Sequence, residues 1–232
     1  MTGRITIVTG TTTGVGKTVA TAALAVAAVR RGERVLVVKP LQTGGGDGDS
    51  DAREVTRLSG VETVEWIVLD APLAPDAAAR VQGAVLPGVA THAPPLLELA
   101  ATHDHVIVEG AGGLLVRLDQ NGGTLLTLAD ALRAGGVAPS FVIVTAAGLG
   151  TLNHSELTSR AVEAAGHEVA GFVIGSWPQL PGLAEEQNLL DLPHHTGCAI
   201  LGRIPEGAGS LEAVVFRHAA PGWVSPPATP SP

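Results

Sequence analysis

The chain has no tyrosine, and only three phenylalanines and three tryptophans among its 232 residues. A core built on aromatic packing is therefore excluded. Abundant alanine and 30 glycines favour tight helix-on-sheet packing by small side chains instead. The single cysteine, Cys198, cannot form an internal disulfide. It lies beside an apolar run and is expected to be a buried, inert thiol. Basic residues are few, 14 against 22 acidic ones, and the net charge is −8. They are scattered, so the footprint of a nucleic-acid partner is missing. An anion must then be held locally, by a loop and a few lysines. No apolar run is long enough to span a bilayer, and the N-terminus has no signal-peptide architecture. The expectation is a cytoplasmic protein with neither membrane nor nucleic-acid partners. Apolar residues make up 45% of the chain, and the length suits one core. Residues 1–224 read as one domain, and the Pro-rich "SPPATPSP" (225–232) as a disordered tail.

Short apolar runs alternate with Ala/Leu-rich stretches. "RITIVTG" (4–10) is a buried strand ending in a turn, and "KTVATAALAVAAVRRG" (17–32) is a helix closed by Gly32. "RVLVVKP" (34–40) is a strand stopped by Pro40. A glycine-rich loop follows and becomes helical near Ser50 or Asp51. Residues 61–104 hold a weak strand near 64–69 and helices near 73–82 and 91–102. "HVIVEGAGG" (105–113) is a strand entering a glycine turn, and "SFVIVTAAGLGTLNH" (140–154) is a strand and turn leading into a helix. "EVAGFVIGSWP" (168–178) and "CAILGRIP" (198–205) repeat the theme. Buried runs separated by helices indicate an α/β fold: a doubly wound, mainly parallel sheet with helices on both faces.

The first strand-to-helix turn, "VTGTTTGVGKT" (8–18), is close to the phosphate-loop pattern G-x-x-x-x-G-K-[ST] but does not fit it. Counting back from Gly16 reaches Thr11 where a glycine is required; the earlier glycine is Gly10, so the loop is one residue longer. Its physics is still that of an anion site. Glycines let N–H groups turn inward, and the helix N-terminus points at the anion. Lys17 would reach the β- and γ-phosphates, and Thr18 would ligate Mg²⁺. In open α/β sheets, the remaining site residues lie past the carboxyl ends of the strands.

Lys39 follows the second strand. It is either a solvated strand-end lysine or a second ammonium for the γ-phosphate. Asp51 opens a helix and is either an N-cap or a metal ligand, with Asp47 and Asp49 in competition. Glu109, at the tip of a buried strand beside glycines, suits a metal or base position. With Thr18 and Asp51 it would form an oxygen set for Mg²⁺. In "GLGTLNHSEL" (148–157), the helix N-terminus could hold a carboxylate, with Asn153 as a cap. His154 reads as structural, and His194 and His195 have no metal-ligand partners at useful spacing.

Together, "VTGTTTGVGKT", "KPLQTG", "SDA" (50–52), "VEGAGG" (108–113), "LGTLNH" (149–154) and "LGRIP" (201–205) resemble the dethiobiotin synthetases, ligases of biotin biosynthesis. The motifs stand in the family's order across nearly the whole chain before the tail. The family's own loop has the longer form found here. The resemblance implies a P-loop NTPase-like fold and a reaction of 7,8-diaminononanoate, CO₂ and ATP. It implies catalytic roles for Lys17, Lys39 and Thr13, and Mg²⁺ on Thr18, Asp51 and Glu109. The nucleotide would lie against Thr12, Thr13, Gly14, Val15, Gly16, Lys17, Thr18 and Val19, with Glu109, Gly175, Ser176, Pro205, Glu206 and Gly207. The diamine would meet Lys39, Thr43, Gly112 and Gly113. Gly150, Thr151, Leu152 and Asn153 would cap its carboxylate across a homodimer interface.

Two departures carry information. Gly14 stands where well-known members have an acidic residue. Gly175 and Ser176 replace an Asn-Asp pair that selects adenine, which predicts a weaker or broader nucleobase preference, with ATP or another NTP as co-substrate. Thr12 occupies the place of the signature lysine of partition-type switch ATPases, which argues against that alternative. Glutamine-using amidoligases carry a glutaminase domain with a cysteine nucleophile, and this chain has neither. Lys17, Lys39 and Glu109 are all present, against a non-catalytic binding module.

Overall fold

The computed structural model describes residues 2–48 and 50–227. The chain alternates β1 (Arg4–Gly10), α1 (Lys17–Arg30), β2 (Val35–Thr43), α2 (Asp51–Ser59), β3 (Thr63–Leu69), α3 (Pro75–Gln82), α4 (Ala93–Thr102) and β4 (His105–Gly113). It continues through α5 (Leu125–Ala134), β5 (Ser140–Thr145), α6 (Thr151–Ala164), β6 (Glu168–Trp177), α7 (Leu183–Thr196), β7 (Ile200–Pro205) and α8 (Ala213–Ala219). The strands form one sheet in the order β3-β2-β4-β1-β5-β6-β7. All the paired strands are parallel, and a lone antiparallel bridge joins Gly202 to Val224.

Because side chains alternate along a strand, each central strand feeds two cores. Ile5, Ile7, Leu36, Val38, Val106 and Val108 pack toward α3, α4 and α5. Val8, Val37, Ile107, Val142 and Val173 pack toward α1, α2 and α8. Helix α1 is buried without a break from Ala20 to Ala28 and has five alanines with essentially no exposed surface. A helix buried on every side has no amphipathic stripe, and alanine lets it lie close on the sheet.

The structure corrects three local expectations. Pro40 does not stop β2, which continues to Thr43. Register with β4 ends at Val38, while register with β3 runs on to Thr43. Pro40 sits past the last β4 pair, where its missing N–H costs no ladder bond. Residues 114–139, for which the sequence predicts no element, contain α5, capped by Thr124 and built on Leu125, Leu128, Ala129 and Leu132. Cys198 is half-buried rather than buried. It packs beside Ile143, Phe172 and Leu192, and burial together with the Glu163 carboxylate pushes its thiol pKa up.

At the N-terminal edge of the sheet, His105 is fully buried. Its Nδ1 lies 2.7 Å from the Arg4 guanidinium, and its Nε2 lies 2.8 Å from Thr6 Oγ1. Arginine can only donate, so Nδ1 accepts and the ring is the neutral Nε2–H tautomer. Of the Pro-rich tail, residues 228–232 lie outside the described residues. Its first residues are tied down: Ser225 N–H donates to Leu201 O at 2.8 Å, and Arg31 donates to the carbonyls of Pro226 and Pro227.

Candidate active site

The loop between β1 and α1 is shaped by close backbone packing. Gly14 and Gly16 have φ of 78° and 91°, a left-handed conformation that favours glycine. A Cβ on Gly16 would sit 2.5 Å from Gly175 O, and one on Gly175 would sit 1.8 Å from Val15 O. The loop is thus laid directly on the end of β6. Gly16 offers no side chain to cap α1, and no acidic residue lies in its first turn. The first N–H groups are left for an anion. Lys17 is buried, with Nζ 3.4 Å from Thr12 O. Burial, and then the nearby Lys39 charge, push the Lys17 ammonium below its usual pKa. An anion bound there would relieve that strain on the charge.

Lys39 comes from β2 and is 2% exposed. Its three ammonium protons have three acceptors: Asp51 Oδ2 at 2.5 Å, Glu109 Oε1 at 2.9 Å and Gly110 O at 3.1 Å. Burial works against this charge, but Glu109 and Asp51 hold its pKa above the ordinary lysine value. Burial likewise opposes ionisation of Asp51, and the Lys39 ammonium and the Thr18 hydroxyl outweigh it and lower its pKa. Thr18 Oγ1 lies 3.0 Å from Asp51 Oδ1 and 3.1 Å from Glu109 Oε1. One proton serves one carboxylate at a time.

Glu109 is 1% exposed, and its Oε2 has no hydrogen-bond partner among the described residues. Just past it β4 bulges: β1 register passes from Val8–Glu109 to Gly10–Gly113. An orphaned carboxylate oxygen beside a hydroxyl and a second carboxylate is a hard-oxygen donor set that fits a divalent cation completed by phosphate and water. No group of three or more His, Cys, Asp or Glu among the described residues could hold a metal ion by itself.

Thr13, Gly14, Gly16, Lys17, Thr18, Val19, Lys39, Thr43, Asp51 and Gly112 all line one cavity of ≈ 850 Å³. Glu109 lies against it through Lys39 and Thr18. Gly113 and Thr12 instead line a neighbouring groove with Leu115 and Leu157. Val15 turns its side chain into the core and offers the site only backbone. Gly175 is buried against the loop, and Ser176 is the first exposed side chain of that stretch. The turn at Pro205–Gly207 joins it, with Glu206 N–H donating to Trp177 O at 2.8 Å. The guanidinium of Arg203 stands 5.1 Å over the Trp177 ring.

Gly150, Thr151, Leu152 and Asn153 do not line the cavity. The Thr151 side chain is buried and Leu152 packs on an apolar cluster, so this segment offers mainly backbone. Of the acidic residues that competed with Asp51, Asp49 lies outside the described residues.

Sequence reasoning missed Gln42 and the turn from Pro72 to Pro75. Gln42 Oε1 accepts the Asp51 N–H at 3.2 Å, and its Nε2 donates to Thr43 O at 2.7 Å. It ties down the backbone of Asp51 at the start of α2, whose N-cap is Ser50 rather than Asp51. Its position inside "KPLQTG" was the available signal. Pro72, Leu73, Ala74 and Pro75 form an apolar wall of the cavity that no motif announced.

A family model described as an AAA domain matches residues 4–212. The ATP-dependent dethiobiotin synthetase BioD of Rhodococcus jostii is 55% identical over 223 residues, covering 94% of this chain and 94% of the relative. That of Streptomyces coelicolor is 50% identical over 225 residues, covering 96% and 92%. This chain belongs to the ATP-dependent dethiobiotin synthetase family. Among solved structures, a MinC:MinD cell division protein complex from Aquifex aeolicus is similar at a TM-score of 0.56 and 14% identity, covering 94% of this chain and 86% of that one. The chloroplast FtsY of Physcomitrella patens matches at 0.55 and 18%, covering 95% and 65%. These likenesses show the α/β P-loop fold alone. No helix among the described residues is long and apolar enough to cross a membrane.

Proposed function

We propose that this chain is an ATP-dependent dethiobiotin synthetase, a ligase that closes a ureido ring. One amine of 7,8-diaminononanoate captures CO₂ as a carbamate. A carbamate oxygen attacks the γ-phosphate of ATP, and ADP leaves. The second amine attacks the carbonyl of the resulting mixed anhydride, dethiobiotin forms and phosphate departs. The observation that carries this reading is the pairing of Lys17 and Lys39 on one cavity whose lining contains no cysteine and no histidine. The substrate brings its own nucleophile. The protein has only to position the reactants and hold the charge that develops on the transferring phosphoryl group.

Lys17 and the free N–H groups of α1 suit the β- and γ-phosphates, and Lys39 and Thr13 suit the carbamate and the γ-phosphate. Thr18, Asp51 and Glu109 would hold Mg²⁺, which when bound offsets phosphate charge. Thr43, Gly112 and Gly113 would meet the diamine, with the apolar turn at Pro72–Pro75 against its alkyl chain. Ser176 and the Pro205–Gly207 turn border the nucleobase. Residue 175 has no room for a base-reading side chain, which supports use of NTPs other than ATP.

A homodimer fits the exposed Leu115, Leu149 and Leu157, which are 59%, 90% and 62% exposed around the groove beside Thr11–Thr13 and the start of α6. The diamine's carboxylate would then meet the backbone of Gly150, Thr151, Leu152 and Asn153 of the partner subunit. Residues 1–224 would act as one catalytic domain in the cytoplasm.

Incubation with diaminononanoate, bicarbonate, Mg²⁺ and ATP should yield dethiobiotin by mass spectrometry. ATP turnover independent of the diamine, with no dethiobiotin, would refute the assignment.

A further inference from the structure

The start of α6 is held from two sides, in part by Thr145 and Asn188, which no motif includes. Thr145, the last residue of β5, and Ser155, in the first turns of α6, have no exposed surface. Thr145 Oγ1 lies 2.6 Å from Thr151 Oγ1, 2.8 Å from Ser155 Oγ and 3.4 Å from Thr11 Oγ1. Thr151 Oγ1 is also 2.6 Å from Ala146 O. A carbonyl can only accept, so the Thr151 proton is committed there. The Thr145–Thr151 bond must then use the Thr145 proton. The two lone pairs of Thr145 are left to accept from Ser155 and Thr11. Every proton in this buried set has one place to go, and Thr145 is saturated. On the other side, α7 contributes Asn188, whose Nδ2 donates to Ala147 O and Gly148 O, both at 2.9 Å.

Three successive carbonyls, at residues 146, 147 and 148, are therefore drawn back into the protein by Thr151 and Asn188. Gly150 leaves α6 without a side-chain cap, and among the described residues the N–H groups of Leu152 and Asn153 have no acceptor.

We propose that Thr145 and Asn188 are positioning residues for the substrate carboxylate, fixing loop 146–150 so that the N–H groups of the α6 start present a set geometry to it. This rests on the reading that the α6 start receives the carboxylate of the diamine.

The test compares 7,8-diaminononanoate with its methyl ester, which lacks the carboxylate charge, in the wild type and in Asn188→Ala, Thr145→Val and Thr145→Ser. Asn188→Ala and Thr145→Val should each raise KM for the acid about tenfold, the scale of one lost hydrogen bond. kcat should stay within about twofold, and KM for the ester should not move. Thr145→Ser, which keeps the hydroxyl, should restore the wild-type KM. A merely structural role would lower the melting temperature and kcat and leave the contrast between acid and ester intact. Asn188 is only half-buried, so its variant keeps the test open if Thr145→Val folds poorly. Equal effects on acid and ester, or no change in KM, would overturn the proposal. A wild type that makes dethiobiotin but treats acid and ester alike would overturn it and leave the proposed function standing; a wild type that makes none would overturn both.

Discussion

Removing the Lys39 ammonium should destabilise the protein as well as inactivate it, and the two effects should separate. In Lys39→Met, Glu109, 1% exposed, loses the ammonium 2.9 Å from its Oε1. Only the Thr18 hydroxyl then remains for that oxygen, and Oε2 has no partner to begin with. Stranding one member of a buried ion pair costs about 3–5 kcal/mol. For a chain of this length each kcal/mol is about 2–4 °C in Tm, so the midpoint should fall by roughly 6–20 °C. Lys39→Met/Glu109→Gln removes both charges and should recover most of the loss, because the desolvation cost is lifted along with the attraction. Neither variant should recover activity, since both lack the ammonium proposed to face the phosphoryl group. Thermal unfolding followed by circular dichroism, in EDTA and without nucleotide, reads the stability; dethiobiotin by mass spectrometry reads the activity. A single variant melting within about 2 °C of the wild type, or a double variant no more stable than the single one, would refute the description of Lys39 and Glu109 as a buried, mutually dependent pair.

Lys17→Ala should lower the rate of dethiobiotin formation at least about a hundredfold, as expected for loss of one transition-state electrostatic contact; near-normal activity would mean that the phosphate site lies elsewhere. Several nucleoside triphosphates should support the reaction with comparable kcat/KM, because Gly175 reads no base edge and Ser176 is short; a strong preference for ATP in steady-state assays would contradict this. Stability should rise with pH between about 4 and about 6.5. Burial lowers the pKa of His105 from 6.5 to about 4, and His92 and His167 shift the same way for the same reason. In that window the unfolded chain binds protons that the folded chain refuses, so stability is lost as pH falls, on the order of 3 kcal/mol for His105 alone. Urea unfolding across that range checks it, and a flat profile would be inconsistent with a buried neutral ring.

The parts of the fold legible in the sequence were those fixed by local periodicity: buried strands of β-branched residues, the alanine-rich α1, and α2 opening at Ser50. The candidate site was legible where a motif marks it, as at Lys17, Lys39 and Glu109, although Lys39 and Glu109 lie inside β2 and β4 rather than at the strand ends the sequence suggests. What was hidden depends on order across the sheet. Pro40 reads as a stop until β4 is known to part from β2 at Val38. Gln42 looks like a spacer between Leu41 and Thr43 until its amide meets the N–H of Asp51. Gly175 looks like a lost base-reader, yet the loop lying 1.8 Å from where its Cβ would be leaves room for glycine alone. Helix α5 has its signal in the spacing of Leu125, Leu128, Ala129 and Leu132, masked by glycine-rich neighbours on both sides.

The bond from Glu206 to the carbonyl of Trp177, with Arg203 stacked on the indole, has a consequence for observing the protein. A chain without tyrosine emits only from its tryptophans. Trp66 lies against His92 and Trp223 against Phe216, while Trp177 ends the strand that carries Ser176 and touches the Pro205–Gly207 turn proposed to border the nucleobase. A base entering there changes the polarity around one indole out of three. If the base sits where proposed, the protein carries an intrinsic optical reporter beside it, and nucleotides can be ranked by emission alone, with no label attached.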